Sequence, residues 1–303
     1  MEYILKTKNL SKTFSSKAAV DSVNMNIRRG DIYGFIGKNG AGKTTLMRMV
    51  VGLALPSNGE IELFESKDLD KQRAKIGTII ESPALYPNYT AKQNLIVQQK
   101  LFGKVNLEEI DEVLKIVGLS DVGKKKAKKF SLGMKQRLAI AIALINKPEF
   151  LVLDEPINGL DPTGIKEVRD LLLKLNREKG MTILISSHIL GELSKVVTCY
   201  GIICDGKLID EFDVHDLETR VKSYLKIKVD NPELASKIIE ENLNTKNYKV
   251  VSSDTICIYD ISDKSSAVNT LLVQNGVTVE SITKLGGDYE DYFIKLMGGQ
   301  NDD

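Results

Sequence analysis

One nine-residue stretch constrains this chain more than any other, and it reads Gly37-Lys38-Asn39-Gly40-Ala41-Gly42-Lys43-Thr44-Thr45. It fits the pattern G-x-x-x-x-G-K-[ST], with an apolar run before it (residues 32–36) that predicts a buried strand and another after it (residues 46–51) that predicts a helix. Gly40 and Gly42 can adopt backbone angles that are closed to other residues, so the chain can close around an anion. The N–H groups and the positive dipole end at the helix start would then face phosphate oxygens. The stretch therefore predicts a phosphate-binding loop.

Two side chains of this loop carry chemistry that phosphoryl transfer needs. Lys43 would reach the β- and γ-phosphates of a nucleotide, and Thr44 would place its hydroxyl on Mg²⁺. A chance glycine-rich turn is the alternative for the bare pattern. The predicted strand before the loop and the predicted helix after it are the context that the motif requires, so they favour a nucleotide site with Mg²⁺.

Composition limits the classes of protein that this chain can belong to. A chain of 303 residues is long for one hydrophobic core and suits two domains. Its 42 Lys and Arg residues nearly balance 41 Asp and Glu residues, so net charge gives no general attraction to nucleic acid. Three cysteines without C-x-x-C spacing argue against a disulfide framework, and two histidines argue against a histidine-built metal site. The sequence has neither a signal peptide nor a run of about 20 apolar residues, so we expect a soluble chain that needs a partner for any membrane role.

Apolar patterns along the chain alternate between strand and helix, which predicts an α/β fold with a mixed, mostly parallel sheet. Alternating residues over 2–30 predict an antiparallel β subdomain, and amphipathic stretches over about 90–146 predict a helical subdomain. The continuous apolar run Phe150-Leu151-Val152-Leu153 is typical of a strand in the middle of a parallel sheet. A helix over residues 162–178 and a strand over residues 182–185 are predicted to follow it.

The pattern changes from about residue 213 onwards. Predicted strands and helices then follow in the order β-α-β-β-α-β, with a terminal helix over residues 289–297, which predicts a small C-terminal α+β domain of ferredoxin-like arrangement. We expect a first domain over residues 1–215 and a second over residues 222–303. Because no motif with chemistry falls inside the second domain, we expect it to serve regulation or dimerisation.

Two features leave alternatives open. Phe14 is a lone aromatic near the N-terminus, and it could either stack on a nucleotide base or pack into the core. The run Lys124-Lys125-Lys126-Ala127-Lys128-Lys129 is by default a solvated basic face, with contact to phosphate or to a partner as the alternative.

Two carboxylates follow the apolar run at residues 150–153, at the sheet edge where ligands of open α/β folds bind. Asp154 can hold Mg²⁺, directly or through water. Glu155 can orient and deprotonate an attacking water, and a positioned base of this kind contributes about 10²–10⁴-fold to a rate. Taken alone, two carboxylates at a strand end are better explained as an ordinary turn.

A further block opens a predicted helix and reads Ser131-Leu132-Gly133-Met134-Lys135-Gln136-Arg137. Together with the phosphate-binding loop, Asp154-Glu155-Pro156, Gly159-Leu160-Asp161-Pro162 and His188, it reproduces the order and spacing of one family's motifs. Over about residues 3–215 the chain resembles the ATP-binding subunit of an ABC transporter. The resemblance implies a P-loop NTPase fold and ATP hydrolysis coupled to transport across a membrane.

The resemblance also implies roles for individual residues. Phe14 takes the position of the aromatic that stacks on adenine. Ser131 and Gly133 correspond to the signature sequence, whose backbone N–H groups bind the γ-phosphate of ATP held by the other subunit. Asp161 lies in the loop that links the two sites, and His188 matches the histidine that contacts the γ-phosphate. We therefore expect a homodimer that is joined head to tail through ATP, with an integral membrane permease as a further partner.

Two positions depart from the family pattern. The usual signature Leu-Ser-Gly-Gly-Gln reads Phe130-Ser131-Leu132-Gly133-Met134 here, so a leucine replaces the first glycine. Glu81 follows an apolar run (residues 76–80) that predicts a buried strand, and it stands where most of the family has glutamine as metal ligand and sensor of the membrane partner. Glutamate can still bind Mg²⁺, but it adds a negative charge beside the phosphates.

One subfamily is resembled in particular, through the altered signature and the segments Glu81-Ser82-Pro83-Ala84-Leu85-Tyr86 and Asp291-Tyr292-Phe293. It is the bacterial exporters that give resistance to peptide antibiotics such as bacitracin and lantibiotics. We expect the ATPase subunit of such an exporter, in the cytoplasm at the inner face of the cell membrane. The alternatives are the same ATPase with another cargo, such as a lipid, drug or ion, and an ABC-type ATPase of DNA repair or translation. That last class carries long coiled-coil insertions or tandem cassettes, which are not evident in this chain, so no nucleic acid partner is expected.

Overall fold

The computed structural model describes residues 2–81, 84–188, 190–221, 223–243, 245–285, 292–293 and 296. The chain divides into two compact units, Met1–Val214 and His215–Asp303. The predicted domain limits, residues 1–215 and 222–303, stay predictions. None of the described helices has the length and apolar character that crossing a bilayer requires.

The first unit combines two sheets with a set of helices. Its strands are β1 (Tyr3–Phe14), β2 (Lys17–Val23), β3 (Asn26–Arg28), β4 (Ile32–Ile36), β5 (Asn58–Leu63), β6 (Ile76–Ile79), β7 (Phe150–Leu153), β8 (Thr182–Ser187), β9 (Cys199–Cys204) and β10 (Lys207–Asp213). Its α-helices are α1 (Lys43–Val51), α2 (Leu69–Arg73), α3 (Ala91–Leu101), α4 (Leu107–Ile116), α5 (Leu132–Leu144), α6 (Pro162–Lys179) and α7 (Leu190–Leu193), and α8 (Val214–Arg220) begins at its last residue. Helices α3 to α5 fall within the predicted helical subdomain.

The larger sheet has the strand order β10-β9-β4-β8-β7-β6. Neighbouring strands run parallel throughout except for the antiparallel pair of β9 and β10. This confirms the prediction of a mixed, mostly parallel sheet. Every residue of β4, β7 and β8 is buried, as continuous apolar strands in the middle of such a sheet require.

Strand β6 differs from its prediction as a buried strand. In the described part of the chain it pairs with β7 and ends the sheet, and its burial alternates: Gly77 and Ile79 are buried, whereas Thr78 is exposed and Ile76 is only partly buried. An apolar run of this length does not reveal whether a strand has one neighbour or two. Nor does it reveal whether both faces of the strand are covered, and here the face that carries Ile76 and Thr78 is partly open to solvent.

The smaller sheet is antiparallel, as the alternation over residues 2–30 predicted. Its order is β2-β1-β3, and β5 also pairs with β1. Its apolar side chains share one core with α1, whose buried residues include Leu46, Met47, Met49 and Val50. Fully burying a side chain of this size contributes about 1.5–3 kcal/mol. This packing fixes the start of α1, and with it the phosphate-binding loop.

The second unit contains β11 (Tyr224–Val229), α9 (Pro232–Leu243), β12 (Tyr248–Ser252), β13 (Thr255–Ile258), α10 (Ser265–Gln274) and β14 (Val279–Leu285). The described strands of this unit pair antiparallel, in the order β12-β13-β11-β14. Apolar side chains from the sheet and both helices form a separate core. The order of elements is the predicted β-α-β-β-α-β arrangement. The predicted terminal helix, residues 289–297, lies outside the described residues apart from residues 292–293 and 296.

Candidate active site

The strand order brings three chain segments to one edge of the larger sheet. Strands β7, β8 and β4 are consecutive neighbours and run parallel, so their carboxyl ends lie side by side. The phosphate-binding loop follows β4, Asp154 and Glu155 follow β7, and His188 follows β8. This edge is where open α/β sheets bind their ligands.

The loop has the backbone geometry that its sequence predicts. Gly40 and Gly42 have φ angles of 83° and 108°, in the left-handed region that favours glycine, and Gly42 caps the start of α1. A side chain on Gly42 is also excluded by space, because its Cβ would lie 2.4 Å from the carbonyl oxygen of Ala19. Gly37 is required for a reason that the pattern alone does not give: its Cβ would lie 2.5 Å from the carbonyl oxygen of Ile203.

The Lys43 side chain lies folded over its own loop. It is buried, and its Nζ donates to the carbonyl oxygens of Gly37 at 2.6 Å and Lys38 at 3.2 Å. A cleft of about 210 Å³ opens beside it. The lining residues are Ala19, Asn39, Gly40, Gly42, Lys43, Thr44, Thr45, Glu155 and Asn158. Most of the phosphate-binding loop from Asn39 to Thr45 therefore faces the same space as Glu155.

Asp154 is buried and accepts two short hydrogen bonds. Thr44 Oγ1 donates to its Oδ2 at 2.7 Å, and Ser186 Oγ donates to its Oδ1 at 2.6 Å. The backbone N–H of Glu155 donates to the same Ser186 hydroxyl at 2.9 Å. Sequence reasoning did not single out Ser186, which holds both carboxylate-bearing residues in place. Mg²⁺ is usually bound through one or two carboxylates together with substrate phosphates and water, and the oxygens of Thr44 and Asp154 fit that donor set.

Glu155 contacts two residues that were predicted to face the γ-phosphate. Its Oε2 lies 2.7 Å from Nδ1 of His188, and its Oε1 lies 3.5 Å from Nζ of Lys43. The backbone of Glu155 has a φ of 48°, which non-glycine residues adopt rarely, and this turns the chain immediately after β7. The Glu155 carboxylate therefore lies between the imidazole of His188 and the ammonium of Lys43.

Glu81 is predicted as a metal ligand, and the structure pairs its carboxylate with Arg48 in α1. Its side chain is 62% exposed and its φ is 63°. Among the described residues no hydrogen bond joins Glu81 to Thr44 or Asp154. The neighbouring Ser82 and Pro83, which contributed to the resemblance, lie outside the described residues.

Phe14 ends β1 and is 53% exposed, so core packing, one of its two interpretations, is wrong. Its ring centre lies 5.1 Å from the ammonium of Lys12. An exposed ring is available to stack on a base, which stays a prediction. The lysines of residues 124–129 are exposed while Ala127 is buried, as a solvated basic face requires.

The signature residues lie at a helix start of their own. Ser131 caps α5 by accepting from the N–H of Met134 at 3.2 Å, and Asp161 caps α6 by accepting from the N–H of Gly164 at 3.1 Å. The two helix starts approach closely, because a Cβ on Gly133 would lie 3.5 Å from Cα of Gly164. Within the described part of the chain, no hydrogen bond or ion pair connects these residues with the phosphate-binding loop. The described hydrogen bonds and ion pairs therefore do not join the two halves of the predicted site within one chain.

Fold and site together define a P-loop ATPase cassette, and comparisons with known proteins place it in a family. The sequence pattern of the ABC transporter family matches residues 20–158. The chain is 45% identical over 302 residues to the bacitracin transport ATP-binding protein BcrA of Bacillus licheniformis, with 99% of each chain covered. It is 46% identical over 209 residues to the lantibiotic transport ATP-binding protein SrtF of Streptococcus pyogenes, covering 69% of this chain and 90% of that protein.

Solved structures agree with this placement. The cassette cbiO1 of Clostridium perfringens, part of an ABC transporter complex, is 28% identical to this chain, with a TM-score of 0.66. The match covers 80% of this chain and 97% of the cbiO1 chain. A dimeric ATP-binding cassette in a post-hydrolysis state with ADP and Pi is also 28% identical, with a TM-score of 0.62 over 69% of this chain and 98% of its own. The chain belongs to the family of ABC transporter ATP-binding proteins. It is an ATPase whose hydrolysis of ATP powers transport.

Proposed function

We propose that this chain is the ATP-hydrolysing subunit of an exporter for a peptide antibiotic of the bacitracin or lantibiotic type, and that it confers resistance. The observation that carries the proposal is the similarity to a bacitracin transport ATP-binding protein over 99% of both chains, including the second unit. A second bacitracin transport relative, from Enterococcus faecalis, is 40% identical over 302 residues. The lantibiotic transport relative covers only 69% of the chain, so it supports the cassette more than the second unit.

The contacts at the sheet edge support a mechanism in which ATP displaces protein contacts. Lys43 exchanges the carbonyl oxygens of Gly37 and Lys38 for the β- and γ-phosphates, and His188 turns from Glu155 to the γ-phosphate. The released Glu155 carboxylate then orients a water and accepts its proton as the water attacks the γ-phosphorus. The bond to the β–γ bridging oxygen breaks, and ADP and phosphate leave. Thr44 and Asp154, with Glu81 as a further ligand, would hold Mg²⁺, and the bound ion would neutralise charge on the phosphates.

A second copy of the chain supplies the other half of each site in this proposal. Ser131 and Gly133 of that copy present the start of α5 to the γ-phosphate, and Asp161 lies in the loop between the two sites. Support comes from two observations: a similar cassette is dimeric with ADP and Pi, and the signature residues make no described contact with the phosphate-binding loop of their own chain. A two-fold axis makes two equivalent sites.

The proposed cargo requires an integral membrane permease, so we place the chain at the cytoplasmic face of the cell membrane. The second unit serves regulation or dimerisation in this proposal. A different cargo is the second candidate, because the linearmycin resistance ATP-binding protein LnrL of Bacillus subtilis is 36% identical over 212 residues. No nucleic acid takes part in either case.

The proposal is tested in a bacterium that lacks its own bacitracin exporter. The chain is expressed with the membrane subunit that copurifies with it, and the minimal inhibitory concentrations of bacitracin and a lantibiotic are measured. We expect resistance to at least one of them, and its loss on Glu155→Gln although the complex still assembles. Equal sensitivity with and without the active pair would contradict a peptide antibiotic as cargo, and resistance to linearmycin alone would favour the second candidate.

A further inference from the structure

We propose that Arg48 makes a glutamate at position 81 compatible with nucleotide binding. It does so by neutralising the Glu81 carboxylate and by holding it beside the metal-binding face of α1. The inference rests on the proposed function, because it takes nucleotide and Mg²⁺ to bind at Thr44 and Asp154. It makes Arg48 a positioning residue rather than one that touches the reacting atoms.

Arg48 lies on the same helix, α1, as the proposed metal ligand Thr44. Thr44 and Arg48 are four residues apart in this helix, so they lie on one face with about 5–6 Å between their Cβ atoms. The Thr44 hydroxyl bonds to Asp154, and Arg48 pairs through Nη2 with Oε1 of Glu81. The ion pair therefore links the Glu81 carboxylate to the helix face that carries Thr44, one of the proposed metal ligands.

Arg48 also compensates a negative charge at the site. Three carboxylates belong to a site that must accept a polyanionic nucleotide, and two of them already have partners: Asp154 is bonded by the hydroxyls of Thr44 and Ser186, and Glu155 contacts Lys43 and His188. Within the described ranges, Arg48 is the cation paired with the third carboxylate, Glu81. An amide at this position would need no such partner. With Arg48 removed, the carboxylate would repel phosphate oxygens.

The backbone of Glu81 has an unusual conformation. Its φ of 63° lies in the left-handed region, which a non-glycine residue adopts rarely and which its surroundings must hold. Among the described residues, the side chain of Glu81 pairs with Arg48. Arg48 therefore fixes where the carboxylate lies as well as compensating its charge.

An ordinary exposed ion pair is the competing explanation. Arg48 is in the last turn of α1, where a cation favours the helix dipole, and its side chain is 39% exposed. Solvent screens such pairs, so the charge effect on affinity is expected to be up to about fivefold. The two explanations differ in one respect: only charge compensation depends on a carboxylate being present at position 81.

A double-mutant cycle on the full chain distinguishes charge compensation from an ordinary exposed ion pair. Dissociation constants for a fluorescent, non-hydrolysable ATP analogue are measured with Mg²⁺ and with EDTA, for wild type, Arg48→Met, Glu81→Gln and the double variant. We expect Arg48→Met to weaken Mg²⁺-dependent binding by about three- to fivefold in the wild-type background, and to have no further effect in the Glu81→Gln background. Equal losses in both backgrounds would overturn the inference, and so would no loss in either.

Two further variants control for folding and for charge in general. Lys92→Met breaks an exposed ion pair with Asp111 (2.7 Å between Nζ and Oδ1) in the helical subdomain and should leave binding unchanged. Arg48→Lys keeps the positive charge and should retain most of the affinity, while a loss equal to that of Arg48→Met would count against compensation. If Arg48→Met lowers the melting temperature strongly, Arg48→Gln replaces it in the cycle. A wild-type chain that binds no nucleotide would instead refute the proposed function itself.

Discussion

The sheet edge around Lys43 and the helix start at Ser131 are both predicted to bind the same γ-phosphate, yet they are built differently. At the sheet edge, Glu155 contacts Lys43 and His188, and Asp154 is bonded by Thr44, all within one chain. At the helix start, the Ser131 hydroxyl is bonded to its own first turn, through the N–H of Met134.

This difference predicts that one chain can bind ATP, whereas hydrolysis requires two copies. The sheet edge brings together a cation, a buried carboxylate and a base, so it should bind ATP by itself. The start of α5 offers backbone N–H groups and a helix dipole, which attract an anion but do not perform chemistry. We therefore expect changes at the two regions to have separable effects on ATP binding, dimer formation and hydrolysis.

The largest effect should follow Lys43→Ala. Lys43 is buried, and its Nζ donates to two loop carbonyl oxygens. When ATP binds, the same Nζ would donate to phosphate oxygens. Losing charged hydrogen bonds of this kind costs about 3 kcal/mol, so ATP affinity should fall by at least about a hundredfold. Equilibrium binding of a fluorescent ATP analogue measures this, with Lys92→Met as the control. Affinity near that of wild type would remove Lys43 from the phosphate site.

Glu155→Gln should separate binding from hydrolysis. The amide keeps the shape of the side chain but cannot accept the proton of water, so hydrolysis should fall by about 10²–10⁴-fold. ATP should remain bound and the ATP-bound dimer should accumulate. Size-exclusion chromatography with Mg²⁺ and ATP, together with phosphate release, checks both expectations. Turnover close to that of wild type would exclude Glu155 as the base.

Gly133→Asp should affect the other region alone. A carboxylate at the start of α5 would repel the γ-phosphate, and its Cβ would lie against Gly164 of α6. The variant should bind ATP as a monomer with unchanged affinity but should neither dimerise nor hydrolyse. Light scattering with ATP distinguishes the two states. Lost monomer binding despite an unchanged melting temperature would contradict the division between the two regions.

The smallest effect on the two regions should come from removing the second unit. Truncation near residue 215 leaves the sheet edge and α5 intact, since the compact first unit ends at Val214 and the second unit has its own core. The truncated chain should bind ATP as the full chain does. Lost binding by a truncated chain that still melts cooperatively would show that the second unit belongs to the site.

Sequence predicted much of the sheet edge, because its features are local. Positive φ angles at Gly40 and Gly42 follow from the loop pattern, and the continuous apolar runs of β4 and β7 predicted buried strands of a mostly parallel sheet. The contact between His188 and Glu155 was not derivable from either segment. It follows from β7 and β8 being adjacent, which local patterns do not specify.

The features that sequence did not predict depend on strand order or on unusual side-chain partners. Ser186 reaches Asp154 because β8 lies beside β7, and β6 is partly exposed because one of its faces is not fully covered. Glu81 was expected near the metal, but its partner Arg48 occupies a helix position with no motif of its own. A single sequence gives no signal for such a pair.

The central claim, that each hydrolytic site combines the sheet edge of one copy with the α5 start of another, is tested by mixing two inactive variants. Lys43→Ala has no working phosphate-binding loop, and Gly133→Asp has no working signature. Phosphate release is measured for each variant alone and for an equimolar mixture. We predict no hydrolysis by either variant alone and clear hydrolysis by the mixture, because a mixed dimer holds one site with both halves intact. A mixture as inactive as its components would contradict the shared site.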